Sequence, residues 1–320
     1  MGVDLFFVLS GFLITGILAD AKFKKNYFRS FYGRRVLRIF PLYYAVLVIV
    51  LLMFPLLGAN TGVEHSSHIF FLTYTSNFYF AYTGWDANYL SHLWTLAIEE
   101  QFYLVWPLVV FFATSLERLR TGLLWAFISV TILRLILYFS GVGYTSLYLG
   151  TETHCDGLII GGYLALSVRS LAQGALKGLR PNKLVAGILL IIGIFVLDEA
   201  AFFPAWDTHP VVPFLRNMIM LPLWAILFVW LIYAATLPSL INRIFSHNAM
   251  RWFGKYSYAL YVLHLPIAFL VLHSQIYWLS TQPRIAELEL FILYFGGSIL
   301  SPFLSWHLYE KHFLKLKRFF

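Results

Sequence analysis

Cysteine and charge are both scarce in this chain of 320 residues. The single cysteine, Cys155, excludes an intrachain disulfide framework and any metal site built from several cysteines. No basic region opens the sequence, because residues 1–4 lead straight into an apolar run, and this excludes a typical secretory signal peptide. Soluble domains, low-complexity linkers and internal repeats are also not visible. Any chemistry is therefore expected within a bundle of apolar helices or at its surfaces.

Long apolar runs dominate what is present, since 60% of the residues are hydrophobic and 19% are aromatic. Several runs approach the ~20 residues that a helix needs to cross a bilayer. The sequence predicts an all-α, polytopic membrane protein with one domain over residues 1–320. Nine spans are predicted, at about 4–19, 39–58, 92–113, 121–140, 155–169, 184–199, 214–235, 257–274 and 288–309. The short, hydroxyl-rich run 69–83 is predicted to be interfacial or re-entrant.

Basic residues concentrate on one side of such a bundle. Twenty of the 23 Lys and Arg residues lie in the segments 20–38, 114–120, 169–183 and 236–256 and in the tail after residue 309. Because cytoplasmic loops carry an excess of Lys and Arg, we expect these segments and the C-terminus in the cytoplasm. This arrangement accounts for the net charge of +8 without a nucleic-acid partner. It also starts residue 1 outside the membrane, as if a preceding helix were missing.

Three arginines, Arg34, Arg35 and Arg38, share little more than one helical turn at the mouth of an apolar run. Two interpretations compete for them. They could anchor the topology of the protein, since Lys and Arg hold loops on the cytoplasmic side. They could equally form an anion site, because guanidinium groups match the geometry of phosphate and stay charged at any working pH.

Ionisable residues inside spans are costly and usually face a cavity or a partner. On the helix that follows residue 92, His92, Thr95, Glu99, Tyr103 and Trp106 share one face. Glu99 is therefore the candidate general acid or base, whereas its neighbour Glu100 shares a face with leucines. The alternative is that Glu99 forms an ion pair with another helix through Arg134.

A second polar stripe is formed by Ser257, Tyr261 and His264, which are spaced i, i+4 and i+7. Pro266 leaves a backbone carbonyl without its helical donor nearby, which suits a cavity wall. His264 is a candidate for a direct chemical role, although a membrane histidine is often only hydrogen-bonded packing.

Acidic residues near helix ends and small residues complete the candidates. Asp4 lies near the outer edge of its span, and Asp156 opens another span, where an acid is favourable in any case. Gly11 and Gly16 predict a close helix contact. The remaining histidines lie mostly in loops or at span ends, and no carboxylate or cysteine completes a metal site with them, so we predict no metal.

Four ordered stretches together resemble the membrane acyltransferase-3 family. They are Gly2-Val-Asp-Leu-Phe-Phe-Val-Leu-Ser-Gly-Phe-Leu-Ile14, the arginine motif from Phe31 to Tyr44, Leu93-Trp-Thr-Leu-Ala-Ile-Glu-Glu-Gln-Phe-Tyr103, and Tyr256 to Pro266. The resemblance covers essentially the whole chain. It implies a bundle of about ten helices in the bacterial inner membrane that O-acylates a cell-envelope glycan or a similar acceptor. The donor would be a cytoplasmic acyl-CoA such as acetyl-CoA, used as a co-substrate, with no permanently bound cofactor.

Carried over by position, the resemblance assigns roles to individual residues. Arg35 and Arg38, with Arg34 beside them, would bind the phosphates of the donor. Glu99 and His264 would be catalytic, whereas Asp4, Ser257, Tyr261 and Asp156 would be supporting polar groups. The family's first helix, with its histidine, would precede this chain, and the family's terminal Glu-Arg/Lys-Pro is here Glu310-Lys311-His312. The alternatives are a transporter or flippase of a lipid-linked glycan or anion, an inactive remnant, and a non-catalytic subunit.

Overall fold

The structure is a computed structural model that describes residues 2–58, 60–170, 214, 216–273 and 283–320. Every regular element in this part of the chain is helical. The helices of the first half are α1 (Gly2–Ala21), α2 (Tyr27–Val48), α3 (His68–Leu72), α4 (Ser76–Thr83), α5 (Trp94–Phe112), α6 (Leu116–Phe139) and α7 (Tyr144–Leu149). They are followed by α8 (Thr151–His154), α9 (Asp156–Arg169), α10 (Leu221–Thr236), α11 (Leu240–Phe245), α12 (Asn248–His273), α13 (Pro283–Ser305) and α14 (Lys311–Lys315).

Seven helical stretches among the described residues are long and apolar enough to cross a membrane, which confirms an all-α polytopic membrane protein. They contain α1, α2, α5, α6, α10, α12 and α13. The predicted span 155–169 corresponds to α9, which has only 14 residues. The predicted span 184–199 lies outside the described residues. Within 69–83, α3 and α4 have 5 and 8 residues, so neither is long enough to cross a bilayer, as predicted.

The helix that carries the arginine motif is longer than the predicted span 39–58. It begins at Tyr27 and continues beyond α2 through a π-helical turn, Ile49–Met53, to Leu56. The predicted span followed only the apolar residues, whereas the helix continues past them with charged residues on it. Pro41 lies inside this helix and cannot donate a backbone hydrogen bond to Leu37.

The chain divides into two compact units, which we describe separately. The first comprises Met1–Lys24, Asn77–Gly84 and Thr95–Ser246, and the second comprises Lys25–Ser76, Trp85–Trp94 and His247–Phe320.

In the first unit, α1 packs closely against α9 through small residues. A Cβ atom at Gly11 would overlap the backbone carbonyl of Leu158, and one at Gly161 would overlap the carbonyl of Val8. A Cβ atom at Gly16 would meet the guanidinium of Arg169. These contacts confirm the close approach predicted for Gly11 and Gly16, and such small-residue seams are typical of membrane helices, where tight packing supplies the attraction between helices.

In the second unit, α2 packs against α12 and against the helical segments that follow α13, and α12 packs along α13. The Tyr43 hydroxyl donates to the carbonyl of Phe71 at 2.8 Å, and the Tyr43 ring stacks on Tyr74 at 4.2 Å. These contacts hold the loop after α3 against α2. The arginine motif therefore lies on a helix that is fixed on several sides.

Candidate active site

The arginine motif forms the start of α2, in the second unit. Arg34 and Arg38 are exposed and Arg35 is half-buried. The final residue, Phe320, packs where the motif has Gly33, since a Cβ atom at Gly33 would overlap the Phe320 ring. The structure thus brings the end of the chain onto the three predicted donor-binding residues.

Lys317 joins the arginines, and sequence reasoning missed it. Its ammonium lies within electrostatic range of all three guanidinium groups. One carboxylate, Glu310, lies within electrostatic range of Arg38 and accepts a hydrogen bond from the Ser305 hydroxyl at 2.7 Å. We call Arg34, Arg35, Arg38 and Lys317 the cationic cluster. Its members repel one another, so an anion bound among them would relieve a cost that the fold carries.

Helix α12 is fixed to α2 beside this cluster. The Tyr258 hydroxyl donates to the backbone carbonyl of Ile39 at 2.7 Å, one residue after Arg38. Tyr261 and His264 follow Tyr258 along α12, and at 1.5 Å per residue His264 is about 9 Å further along the helix axis. The hydrogen bond therefore fixes how far along α12 His264, predicted to be catalytic, lies from the predicted donor site.

His264 pairs with a second histidine, His92. The two rings lie edge to face with their centres 4.9 Å apart, and the Tyr261 hydroxyl donates to the His92 carbonyl at 2.7 Å. His92 was noted in the sequence only as a member of the Glu99 face. Its position before α5 and the 172 residues between it and His264 left no signal for the pairing in a single sequence.

Backbone carbonyls fix the tautomers of both rings. Nε2 of His92 lies 3.2 Å from the Val262 carbonyl, and Nδ1 of His264 lies 2.6 Å from the Tyr261 carbonyl. A carbonyl oxygen can only accept, so each of these nitrogens carries a proton and donates. In the neutral rings the nitrogens without a proton are therefore Nδ1 of His92 and Nε2 of His264.

Ser257, the third member of the predicted stripe, is turned toward its own helix. Its hydroxyl donates to the Gly254 carbonyl at 3.0 Å. Ser257 is half-buried, and this bond is local to α12. The structure thus brings together Tyr261 and His264 around His92, and gives Ser257 a hydrogen bond to the backbone of its own helix.

Glu99 lies on α5 in the first unit and is 1% exposed. The side chains predicted to lie on its face, from His92 to Trp106, are all buried. On the Glu100 side Leu93 and Leu96 are also buried, whereas Leu104 is 66% exposed. An ionisable side chain this deeply buried in a membrane helix is a functional candidate by default.

A closed ring of hydrogen bonds holds α5 two residues after Glu99. Asn77 donates to Thr151 at 3.0 Å, Thr151 donates to Gln101 at 2.5 Å, and Gln101 donates to Asn77 at 2.9 Å. Asn77 also donates to the carbonyl of Leu149 at 3.1 Å. The ring joins α4, α5 and α8 in the first unit, so it fixes the rotation of the helix that carries Glu99.

Asp4 pairs with His154, which sequence reasoning had set aside as a residue at a span end. Nε2 of His154 lies 3.1 Å from the Asp4 carboxylate, and Nδ1 lies 2.6 Å from the Tyr148 carbonyl. His154 is 1% exposed, and its ring meets that of Phe7 edge to face at 5.4 Å. The pair thus joins the start of α1 to the end of α8.

Asp156 pairs with Arg134, and both are buried. Arg134 also donates through Nε to the carbonyl of Thr153 at 2.8 Å. The favourable position of Asp156 at the start of α9 is thus accompanied by a buried ion pair with α6. The structure gives Arg134 Asp156 as a carboxylate partner, and the alternative interpretation of Glu99, an ion pair with Arg134, stays a prediction.

Comparison with known proteins identifies the relatives of this chain. The acyltransferase domain family matches residues 1–309. The peptidoglycan O-acetyltransferase OatA of Listeria monocytogenes is 33% identical over 286 residues, and "Putative peptidoglycan O-acetyltransferase YrhL" of Bacillus subtilis is 32% identical over 293 residues. Each alignment covers 83% of this chain and 44% of the relative, so the chain spans less than half the length of these curated relatives. No solved structure matches the chain.

Proposed function

Since this chain belongs to the acyltransferase domain family, we propose that it is a membrane O-acyltransferase that transfers an acetyl group from a cytoplasmic donor to a glycan of the cell envelope. Two relatives carry the name of a peptidoglycan O-acetyltransferase, which makes peptidoglycan the first acceptor to test. The proposed location is the inner membrane of a bacterium, with the C-terminus in the cytoplasm, as the distribution of Lys and Arg favours.

The cationic cluster is the proposed site for the donor. Acetyl-CoA carries several phosphate groups, and guanidinium groups bind phosphate through paired, charge-assisted hydrogen bonds. Arg35 and Arg38 are the proposed phosphate ligands, with Arg34 and Lys317 adding to the positive potential. The gathering of three arginines and Lys317 within electrostatic range of one another supports an anionic ligand at this place.

The proposed reaction needs a base, because a sugar hydroxyl is a weak nucleophile until its proton is removed. The hydroxyl oxygen would form a bond to the thioester carbonyl carbon, the carbon–sulfur bond would break, and the hydroxyl proton would pass to the base and then to the departing thiolate. His264, through Nε2, is the proposed base in the second unit, with His92 packed against it. Glu99 is the second candidate, in the first unit.

One observation supports this assignment more than the others, namely the hydrogen bond from Tyr258 to the carbonyl of Ile39. It connects the helix with the histidine directly to the helix with the arginines, next to Arg38. The phosphates of the donor would bind at the cluster. Its thioester would then extend along the axis of α12 toward His264, whose distance from Arg38 along the helix is fixed by this hydrogen bond. Holding reactant and base on joined, rigid helices is how a site lowers the entropic cost of a two-substrate reaction.

The test is transfer of radiolabelled acetyl groups from acetyl-CoA to envelope glycan in membranes that carry the protein. We expect Arg35→Gln and Arg38→Gln each to raise the KM for acetyl-CoA roughly tenfold or more, from the loss of one charge-assisted bond. His264→Gln should instead lower kcat. Arg118→Gln, which changes an exposed arginine outside the cluster, is the matched control.

Full labelling in both arginine variants would exclude the donor site. Full labelling in His264→Gln, together with loss in Glu99→Gln, would assign the base to Glu99 instead.

A further inference from the structure

An apolar groove of about 700 Å³ runs along α2 in the second unit. Its floor includes Pro41, Ala45 and Val48, and Tyr309 and Phe313 from the segment after α13 form the opposite wall. The groove is open along its length, since Val36 is 42% exposed and Val48 is 51% exposed. In a membrane-spanning helix such a surface faces lipid.

The tyrosines of the groove present rings rather than hydroxyls to its interior. The Tyr44 hydroxyl donates to the carbonyl of Leu72 at 3.0 Å, and the Tyr309 hydroxyl donates to the carbonyl of Pro41 at 3.3 Å. Because these polar groups are already used in hydrogen bonds to the backbone, the walls are suited to hydrocarbon.

One end of the groove carries the cationic cluster. Arg34, Arg38, Pro41, Ala45 and Val48 are spaced i, i+4, i+7, i+11 and i+14, so they follow one face of the helix. At 1.5 Å per residue this stripe is about 21 Å long, which exceeds the ~15 Å of hydrocarbon in one leaflet of a bilayer. A row of apolar side chains with guanidinium groups at one end is complementary in length and polarity to a phospholipid, with its acyl chain along the row and its phosphate at the guanidinium groups.

We propose that this groove binds an anionic phospholipid, with its phosphate at Arg34 and Lys317 and one acyl chain between α2 and the Tyr309–Phe313 wall. A zwitterionic lipid would fit the apolar part equally, so the positive charge of the cluster selects the anionic headgroup. The acetyl group of acetyl-CoA is not the ligand of this groove, because a two-carbon group is far too short to fill it.

The inference does not depend on the proposed function. A lipid held here would pack α2 against the end of the chain and would add a negative charge among cations that repel one another.

The test is native mass spectrometry of the full chain released from nanodiscs that contain equal amounts of phosphatidylglycerol and phosphatidylcholine. We expect selective retention of phosphatidylglycerol. Arg34→Gln should lower that retention about fivefold, since one basic residue near the headgroup contributes ~1 kcal/mol. Val48→Trp should fill the groove and lower retention of both lipids. Leu104→Trp, at a position 66% exposed on α5, is the matched control and should retain lipid as the parent does.

A second arm separates a lipid from other phosphate ligands. Binding of CoA, measured on the same samples, should survive Val48→Trp, because that change fills the apolar part and leaves the cations in place. Equal retention of the two lipids by the parent would overturn the proposal, as would unchanged retention in both Val48→Trp and a second groove variant, Ala45→Phe. Size-exclusion elution would show that each variant is folded. A protein that retained phosphatidylglycerol selectively but transferred no acetyl group would refute the proposed function alone.

Discussion

Neutralising Asp156 should destabilise the first unit strongly. Arg134 is 0% exposed and Asp156 is 2% exposed, and the guanidinium donates both to this carboxylate and to the carbonyl of Thr153. Asp156→Asn keeps the size of the side chain and removes its charge. The variant therefore keeps a buried guanidinium that still donates to the carbonyl of Thr153 but no longer has the charge of Asp156 beside it.

The expected cost follows from this burial. Removing one partner of a buried ion pair destabilises a protein by about 3–5 kcal/mol, since the remaining charge stays buried without compensation. For a chain of this size the melting temperature should fall by roughly 5–10 °C. The pair Arg169–Asp20 provides the comparison. It has two contacts of 2.9 Å, but its side chains are 35% and 61% exposed, so Asp20→Asn should cost about 1 kcal/mol or less.

Thermal unfolding of the purified protein in detergent measures both effects. A double variant, Arg134→Met with Asp156→Leu, removes both charges and should be more stable than Asp156→Asn, because neither member of this pair stays buried as a charge without the other. If Asp156→Asn and Asp20→Asn shifted the melting temperature equally, burial would not set the strength of these pairs. If the double variant lost the sum of the single effects, the two residues would be energetically independent.

Three further changes test the packing and the polar contacts. Gly161→Ala should destabilise the protein by about 1–3 kcal/mol in thermal scans, because the added methyl group overlaps the carbonyl of Val8. Gly122→Ala is the control, because a Cβ atom there has no neighbour within 4 Å, and it should be neutral or stabilising by up to ~1 kcal/mol. Asn77→Ala opens the ring with Thr151 and Gln101 and should cost about 1–3 kcal/mol, with faster amide exchange in α4 as the local readout. Tyr258→Phe should cost about 0.5–1.5 kcal/mol and raise the KM for acetyl-CoA, while Tyr82→Phe, at a side chain 94% exposed, should change neither.

The helices of this protein could be predicted well because a bilayer imposes a simple rule on the sequence. Apolar runs near the required length stand out in a chain with few charged residues, and α1, α5 and α6 lie within a few residues of the predicted spans. The rule fails where a helix continues beyond the apolar layer. Helix α2 includes the arginine motif from its beginning at Tyr27, since arginine is a good helix former and its charge does not end a helix.

The candidate site could be predicted only where its residues are neighbours on one helix. The spacing of Arg34, Arg35 and Arg38 and the buried face of Glu99 both follow from helical periodicity. The pairs His92–His264 and Asp4–His154 join residues 172 and 150 positions apart, and Lys317 meets the arginines from the other end of the chain. Such contacts depend on which helices are adjacent, and hydrophobic periodicity carries no information about adjacency.

Charge is arranged differently in the two units, and the difference bears on what the arginines do. In the first unit Arg134 and Arg169 each lie against a carboxylate, so their charges are compensated by the fold. In the second unit four cations lie close enough to repel one another, and Lys317 is half-buried among them. A topological anchor needs its charges only on the correct side of the membrane and gains nothing from gathering them. Gathering costs free energy that an anionic ligand recovers. If the cluster binds an anion as proposed, adding pyrophosphate should raise the melting temperature of the parent but not that of a variant with Arg35→Gln and Arg38→Gln together.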